Sequence, residues 1–142
     1  MPANAAIYLP HAGVDLSTLF RDAKSDKTLF RKPTYFDVAL DGDIVRFNVM
    51  EPSRVEAHLR GFLGYIDSLD QDAARKRDTA NAIAHTRTVL GLITERDFEQ
   101  NPAIWQSLFR IADAYDGFVF VHDSVLLANG AVLVGPLLDL DP

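Results

Sequence analysis

Apolar and polar residues alternate along residues 35–49, and this period of two predicts a β-hairpin. Each run places its apolar side chains on one face, as in a half-buried strand: Phe36, Val38 and Leu40 in the first run, and Val45, Phe47 and Val49 in the second. The runs are separated by Asp41 and Gly42, a pair that is typical of two-residue hairpin turns. The sequence therefore predicts two antiparallel strands here.

A period near 3.6 follows and predicts an amphipathic helix over residues 52–69. Its apolar stripe consists of Val55, Leu59, Phe62, Leu63, Ile66 and Leu69. Ser53 and Glu56 have the spacing of a reciprocal capping box, which would start the helix at Ser53. The polar segment 70–81 either extends this helix or begins a second one.

The segment from Thr86 to Thr94 is rich in β-branched residues and apolar on both faces, which predicts a central strand. Gly91 in its middle indicates close packing or a bulge. Asn101 followed by Pro102 is a typical helix start, and Gly117 marks the end of that helix.

The C-terminal third predicts further strands. Residues 118–121 form one strand, residues 122–124 either continue it or bend, and two apolar runs flank Asn129 and Gly130, the preferred pair for a type I′ turn. Residues 1–34 contain a short apolar run that ends before Pro10, a brief helix capped by Asp15, and a charged, solvated loop from Arg21 to Pro33.

Together these elements predict an α+β fold. The core order is ββαβαββ, with an antiparallel or mixed sheet packed by two main amphipathic helices, as one layer of helices on one sheet. The 142 residues match the commonest domain size, and no linker divides them, so residues 1–142 are predicted to form a single domain.

Charge and composition narrow the classes of function. The net charge of −6 argues against nucleic acid or an anionic membrane as the main partner and permits a basic protein partner. The chain has no Cys, which excludes disulfides and thiolate sites. Its first ten residues lack the features of a secretory signal and no apolar run is long enough to span a bilayer, so we expect a cytoplasmic location.

The histidines do not show a catalytic or metal-binding spacing. His122, Asp123 and Ser124 are the residue types of a hydrolase triad, but neighbours in sequence on an extended chain point to alternate faces and cannot form the relay. His85 and Arg87 are two residues apart at the start of a strand, where they either bind an anion or form a cross-strand ion pair. The sequence predicts no catalytic residue, no metal and no cofactor.

Eight acidic residues occur in three clusters that lack the ligand pattern of an EF-hand loop. They are Asp67, Asp70 and Asp72, then Glu95, Asp97 and Glu99, and finally Asp113 and Asp116. If the fold gathered them on one face, that face would attract a basic partner and speed association. An even spread over the surface is the alternative.

The segment Leu108–Phe120, together with the Asn129-Gly130 turn, resembles the C-terminal helix and hairpin of several bacterial α+β domains, some of which look like immunity proteins encoded beside secreted toxins. The resemblance covers about 30 residues and consists largely of a helix end and a buried strand. It implies a cytoplasmic protein that binds another protein, and it implies no site residues.

Three functional hypotheses follow. The first is a non-catalytic protein-binding domain, of the bacterial immunity type, that neutralises a basic toxin through an acidic surface. The second is a small-molecule-binding domain or enzyme with a pocket near His85, Arg87 and His122. The third is a homodimer formed by pairing the exposed strand of the hairpin that ends at Val134.

Overall fold

The computed structural model describes residues 3–140, so Met1, Pro2, Asp141 and Pro142 of the predicted domain lie outside the described residues. The strands are Ala3–Leu9 (β1), Lys24–Ser25 (β2), Tyr35–Leu40 (β3), Asp43–Val49 (β4), Thr88–Thr94 (β5), Phe118–Val121 (β6), Ser124–Leu127 (β7) and Val132–Val134 (β8). The α-helices are Pro52–Ser68 (α1), Ala73–Ile83 (α2) and Pro102–Ala114 (α3), and short 3-10 helices cover Leu16–Thr18 and Pro136–Leu140.

The strands form one eight-stranded sheet in the order β2-β3-β4-β5-β1-β6-β7-β8, and all neighbouring strands are antiparallel. The predicted α+β class with an antiparallel sheet is therefore confirmed. The predicted central strand is confirmed as well, because β5 lies between β4 and β1. The short apolar run near the N-terminus becomes β1, the other central strand.

Helices pack on both faces of this sheet. Ile7 and Leu9 of β1 belong to the core cluster that contains α3, whereas Tyr8 between them belongs to the cluster that contains α1 and α2. Successive side chains of a strand point to opposite faces. The predicted layer of helices is thus divided, with α1 and α2 on one face and α3 with the first 3-10 helix on the other.

Two-residue turns join β3 to β4 and β6 to β7, which are neighbours in the sheet. Asp41 and Gly42 have φ angles of 46° and 90°, which confirms the predicted two-residue turn. His122 and Asp123 also have left-handed φ angles, 50° and 60°, and they join β6 to β7 in a two-residue turn, so of the two predicted alternatives at residues 122–124 the bend is the one found. Over residues 35–134 the order is consequently ββααβαβββ, with one helix and one strand more than predicted.

The turn at Asn129 and Gly130 differs from the predicted type I′. Only Gly130 has a left-handed φ, 89°, and Leu127 pairs with Ala131 around a loop of three residues. This is the three-residue hairpin in which a glycine in the left-handed region follows a tight turn. The Gly130 amide accordingly donates to the Leu127 carbonyl at 2.9 Å.

Of the two helix starts predicted from capping residues, one is wrong and the other is confirmed. The capping box at Ser53 and Glu56 is wrong, since α1 begins at Pro52 and its N-cap residue, Glu51, makes no side-chain cap hydrogen bond. Proline at the first position has no amide to satisfy, so the helix can begin there without that box. The cap at Asn101 is confirmed, because its side chain accepts from the Ala103 amide at 3.2 Å.

Glycine has a packing role at the end of α3. The left-handed residue there is Asp116, with φ of 56°, and the Gly117 amide donates to the Ala112 carbonyl at 2.8 Å, which is the Schellman arrangement. A Cβ on Gly117 would clash with Leu9 and with the backbone of Tyr8. Gly91, in contrast, has open space around it and pairs regularly with Ala6 and Asn48, so the predicted close packing or bulge is wrong.

Candidate functional site

A groove with a volume of about 1080 Å³ opens beside the N-terminal half of α1. Its walls come from four separate segments: residues 12–15, residues 27–33, the end of β4 with α1, and, around the start of β5, Ala84, Thr86, Arg87 and Thr88. This volume is slightly larger than the usual range for ligand pockets, about 300–1,000 Å³. The groove is therefore large enough for a ligand or for a short segment of a partner.

The floor of the groove is aliphatic. It consists of Val49 and Met50, where β4 ends, and of Val55, Leu59 and Leu63 on α1. These three α1 residues lie four apart, so they share one face of the helix. Val55 and Leu59 are also part of the buried stripe, and Leu63 is partly exposed beside it.

Residues 26–34 form a flap that borders the groove. Asp26 closes its base, because its carboxylate accepts from the amides of Thr34 at 2.7 Å and Tyr35 at 3.3 Å and from the Thr34 hydroxyl. The hydrogen bond from the Thr34 side chain is the main reason that the pKa of Asp26 falls to about 2. Thr28 and Arg31 form a β-bridge that shapes the flap into a tight hairpin.

The tip of the flap carries two large apolar side chains in solvent. Leu29 is 90% exposed and Phe30 is 94% exposed, and both line the groove. Large apolar side chains that project together from a protein surface mark binding sites.

Basic side chains predominate around the groove. Five of them line it, namely Lys27, Arg31, Lys32, Arg60 and Arg87, against the two acidic residues Asp15 and Glu56. Among the described residues, Arg31 forms an ion pair with Asp26 at 3.3 Å, and the other four basic side chains have no salt bridge. The positive charge is notable in a chain whose net charge is −6.

Asp15 has a structural role at the edge of the groove. Its carboxylate accepts from the hydroxyl of Ser17 at 2.6 Å and from the Ser17 amide at 3.0 Å, as predicted for a capping residue. These hydrogen bonds, with a smaller contribution from the charge of Lys27, lower the pKa of Asp15. The Asp15 carboxylate is thus engaged as a helix cap at the edge of the groove.

The structure does not bring His85, Arg87 and His122 together. Arg87 lines the groove, whereas His85 is exposed at the end of α2 and is not part of the lining. Strand register places His122 at the opposite end of the sheet from Arg87, about six residues or roughly 20 Å away. There its ring stacks on Trp105 at a centroid distance of 6.0 Å and meets the Phe98 ring edge-on at 5.9 Å.

The eight acidic residues of the predicted partner surface lie in three places. Asp67, Asp70 and Asp72 surround the junction of α1 and α2, Glu95, Asp97 and Glu99 lie between β5 and α3, and Asp113 and Asp116 lie at the other end of α3. Since α1 and α3 pack on opposite faces of the sheet, the clusters do not share one face.

Several of these acids have local partners. Asp72 caps α2 by accepting from the Arg75 amide at 3.0 Å, and Asp97 accepts from the Gln100 amide at the same distance. Asp116 lies 3.4 Å from His11. Part of the acidic sequence pattern is therefore explained by loop and helix-end structure.

Sequence reasoning assigned the flap to a solvated loop and did not identify it as part of a site. The available signal was the apolar pair Leu29-Phe30 in the middle of a segment rich in Lys and Arg. Among residues 3–140, the structure shows no group of three or more His, Asp or Glu side chains placed to hold a metal ion. Within the same part of the chain, every helix is too short or too polar to cross a membrane.

Comparisons with protein-family models, with curated proteins and with solved structures found no match to this chain. The resemblance of the C-terminal helix and hairpin to immunity-like domains stays a prediction. The groove and its flap are the features from which function can be argued.

Proposed function

We propose that this protein is a non-catalytic binding domain and that the groove beside α1 is its ligand site. The observation that carries the proposal is the combination of an aliphatic floor with four basic side chains that have no salt bridge among the described residues. Such a lining complements a ligand that joins an anionic group to an apolar body.

The electrostatics favour an anion at this place on the molecule. The chain as a whole is acidic, yet the groove has an excess of basic side chains. Clefts lined by charges of one sign concentrate the field and attract ligands of the opposite sign. An anionic ligand would be guided to the groove and repelled by most of the remaining surface.

The chemistry of the lining favours binding over catalysis. The basic groups of the lining are guanidinium and ammonium groups, and the floor side chains are aliphatic. Of the two acidic residues in the described lining, Asp15 is engaged as a helix cap, which leaves Glu56 with neither a second free carboxylate nor a histidine in the lining. What the groove offers a ligand is charge and apolar contact.

A protein partner is the second candidate, and the exposed tip of the flap is the observation that favours it. Leu29 and Phe30 are almost fully exposed, as apolar residues at protein interfaces are before the partner binds. In the immunity-type form of this proposal, a cytoplasmic bacterial protein blocks a basic toxin. The acidic residues would then act through one of their three clusters and not as a single face.

The proposal can be tested with two dyes that share an aromatic body and differ in charge. We expect the anionic 1-anilinonaphthalene-8-sulfonate to bind with a stoichiometry of one, measured by fluorescence and by calorimetry. The uncharged N-phenyl-1-naphthylamine lacks the sulfonate and should bind more weakly. Arg60→Gln and Arg87→Gln should each weaken the anionic dye about two- to five-fold, the effect of a partly screened charge pair.

The matched control is Arg54→Gln, which removes an exposed charge from the same helix outside the groove lining. This variant should bind the anionic dye as the natural protein does. Equal weakening by Arg54→Gln and Arg60→Gln, or no preference for the anionic dye, would contradict the proposed site.

A further inference from the structure

We infer that the groove takes a single-chain aliphatic carboxylate, that is, a fatty acid of medium length, as its ligand. This inference rests on the proposed function and specifies the chemistry of the ligand.

The aliphatic floor favours a ligand with a flexible hydrocarbon chain. Its five side chains are aliphatic, and Phe30 at the flap tip is the one aromatic residue among those that line the groove. A planar ring would find no stacking surface on this floor, whereas a methylene chain can follow the row of Val55, Leu59 and Leu63. The first and last of these residues are separated by eight helical rises, or about 12 Å along α1.

That length sets the size of the chain. An extended chain of roughly ten carbons covers about 12 Å, since each carbon–carbon bond of about 1.5 Å advances the zigzag by somewhat less than its own length. A carboxylate of about twelve carbons would therefore lie along the floor with its head at the border of the groove. Each methylene that is fully buried would raise the affinity by about four-fold.

The charges at the border select the head group. Arg60 follows Leu59 directly on α1, Arg87 directly precedes β5, and both line the groove. A guanidinium binds a carboxylate with two parallel hydrogen bonds. Lys27 and Lys32 add ammonium groups from the flap. A hydrocarbon with a cationic head would meet repulsion at the same border.

These charges also distinguish the fatty acid from other occupants. A symmetric dimer that paired the two grooves would bring the same basic groups together and would be repelled. An extended anionic membrane would face the net charge of −6 carried by the whole molecule, whereas a single carboxylate interacts only with the local cluster. The observations thus favour a monomeric ligand within the groove.

The experiment measures binding of dodecanoate below its micellar concentration by calorimetry and by displacement of the anionic dye. Dodecylamine and dodecan-1-ol carry the same chain with a cationic or an uncharged head, and butanoate carries the same head with a short chain. We expect dodecanoate to bind with a stoichiometry of one and at least ten-fold tighter than each of the three. The double variant Arg60→Gln/Arg87→Gln should lose about five- to twenty-fold in affinity for dodecanoate.

The contribution of the flap is tested separately. Leu29→Ser/Phe30→Ser changes two residues that are exposed, so the variant should fold normally and should bind dodecanoate several-fold more weakly. Ile44→Thr is the matched control, because Ile44 is 79% exposed and lies outside the groove. Its affinity for dodecanoate should equal that of the natural protein.

The possible results of these experiments distinguish an error in the class of ligand from an error in the proposed binding site. If the anionic dye binds in the groove and dodecanoate fails to displace it, the fatty-acid inference is wrong while the proposed function stands. If neither binds, both are wrong. Binding to vesicles of phosphatidylglycerol without binding of monomeric dodecanoate would overturn the inference in favour of a lipid surface. Equal affinity for dodecanoate and dodecylamine would overturn it as well.

Discussion

Gly117 and Gly91 give the clearest prediction at the scale of single residues, because their surroundings are opposite. Gly117→Ala should reduce the free energy of unfolding by about 2–3 kcal/mol, since the new Cβ would collide with Leu9 and with the backbone of Tyr8. Gly91→Ala should change it by less than about 1 kcal/mol and in the stabilising direction, because alanine fits a strand better than glycine where space is open. Urea unfolding of the two variants measures both effects, and equal effects at the two positions would contradict the model of packing.

Residue types alone indicated some of these local roles and missed others. The cap at Asn101 was predictable because Asn is a favoured N-cap residue and Pro is a favoured first residue of a helix. The end of α3 was placed at Gly117, but the left-handed residue is Asp116 and the glycine is needed for close approach to β1. A glycine serves either purpose, and sequence does not distinguish them.

The flap gives a prediction at the scale of a structural element. Asp26 holds its base together as an ionised carboxylate, and its pKa lies at about 2 instead of the usual 3.8. A lowered pKa in the folded state means that this stabilisation is complete above about pH 4 and is lost as the pH falls towards 2. The amide resonances of Thr34 and Tyr35 should therefore titrate with a midpoint near pH 2 in NMR spectra.

The same role can be tested at neutral pH with Asp26→Asn, which removes the charge and keeps the shape of the side chain. This variant should increase hydrogen exchange at the Thr34 amide while amides in β5 stay protected. Asp22→Asn is the control, because Asp22 is exposed and lies four residues before Asp26, outside the flap. Asp26 would not close the flap if the Thr34 amide resonance titrated with a midpoint near pH 4. The same conclusion would follow if the Thr34 amide exchanged equally fast in Asp26→Asn and Asp22→Asn.

Elements were predictable wherever the local residues leave few alternatives. Asp41 and Gly42 adopt left-handed φ angles easily, so their hairpin was evident from sequence. The turn at His122 and Asp123 also has left-handed φ angles but contains no glycine, and for that reason the sequence left both a continuation of the strand and a bend open there. The Ser53 capping box failed because Pro52 already occupies the first turn of α1.

At the scale of the whole molecule, the groove could not be predicted because it forms only when distant segments of the chain meet in the fold. Its walls come from residues 12–15, 27–33, 49–63 and 84–88, which meet only when the sheet is assembled. Hydrophobic periodicity reveals the buried side of each helix and strand but not which loops become neighbours. Of the three residues suggested for a pocket, Arg87 alone lines the groove, because His122 belongs to the other end of the sheet.

The edges of the sheet give the last prediction, which concerns the whole molecule in solution. β2 has two residues and β8 has three, so each outer strand offers a short row of backbone groups to a second copy. At β8 the Leu133 carbonyl accepts from Arg75 at 3.1 Å, and the backbone of Gly135 exchanges two hydrogen bonds of 2.8 Å with Gln71. Short and covered edges resist strand pairing between molecules. We therefore expect the chain to sediment as a monomer of 15.8 kDa over a range of protein concentrations.

Removing the cover tests this explanation. Gln71→Ala/Arg75→Ala should expose the backbone of β8 and increase self-association in sedimentation velocity experiments, whereas Arg77→Ala, on the exposed surface of α2, should leave the protein monomeric. A stable dimer of the natural protein would instead support the strand-paired homodimer. In that case the side chains of Gln71 and Arg75 would have to leave β8 when the second copy binds, and their replacement would strengthen the dimer.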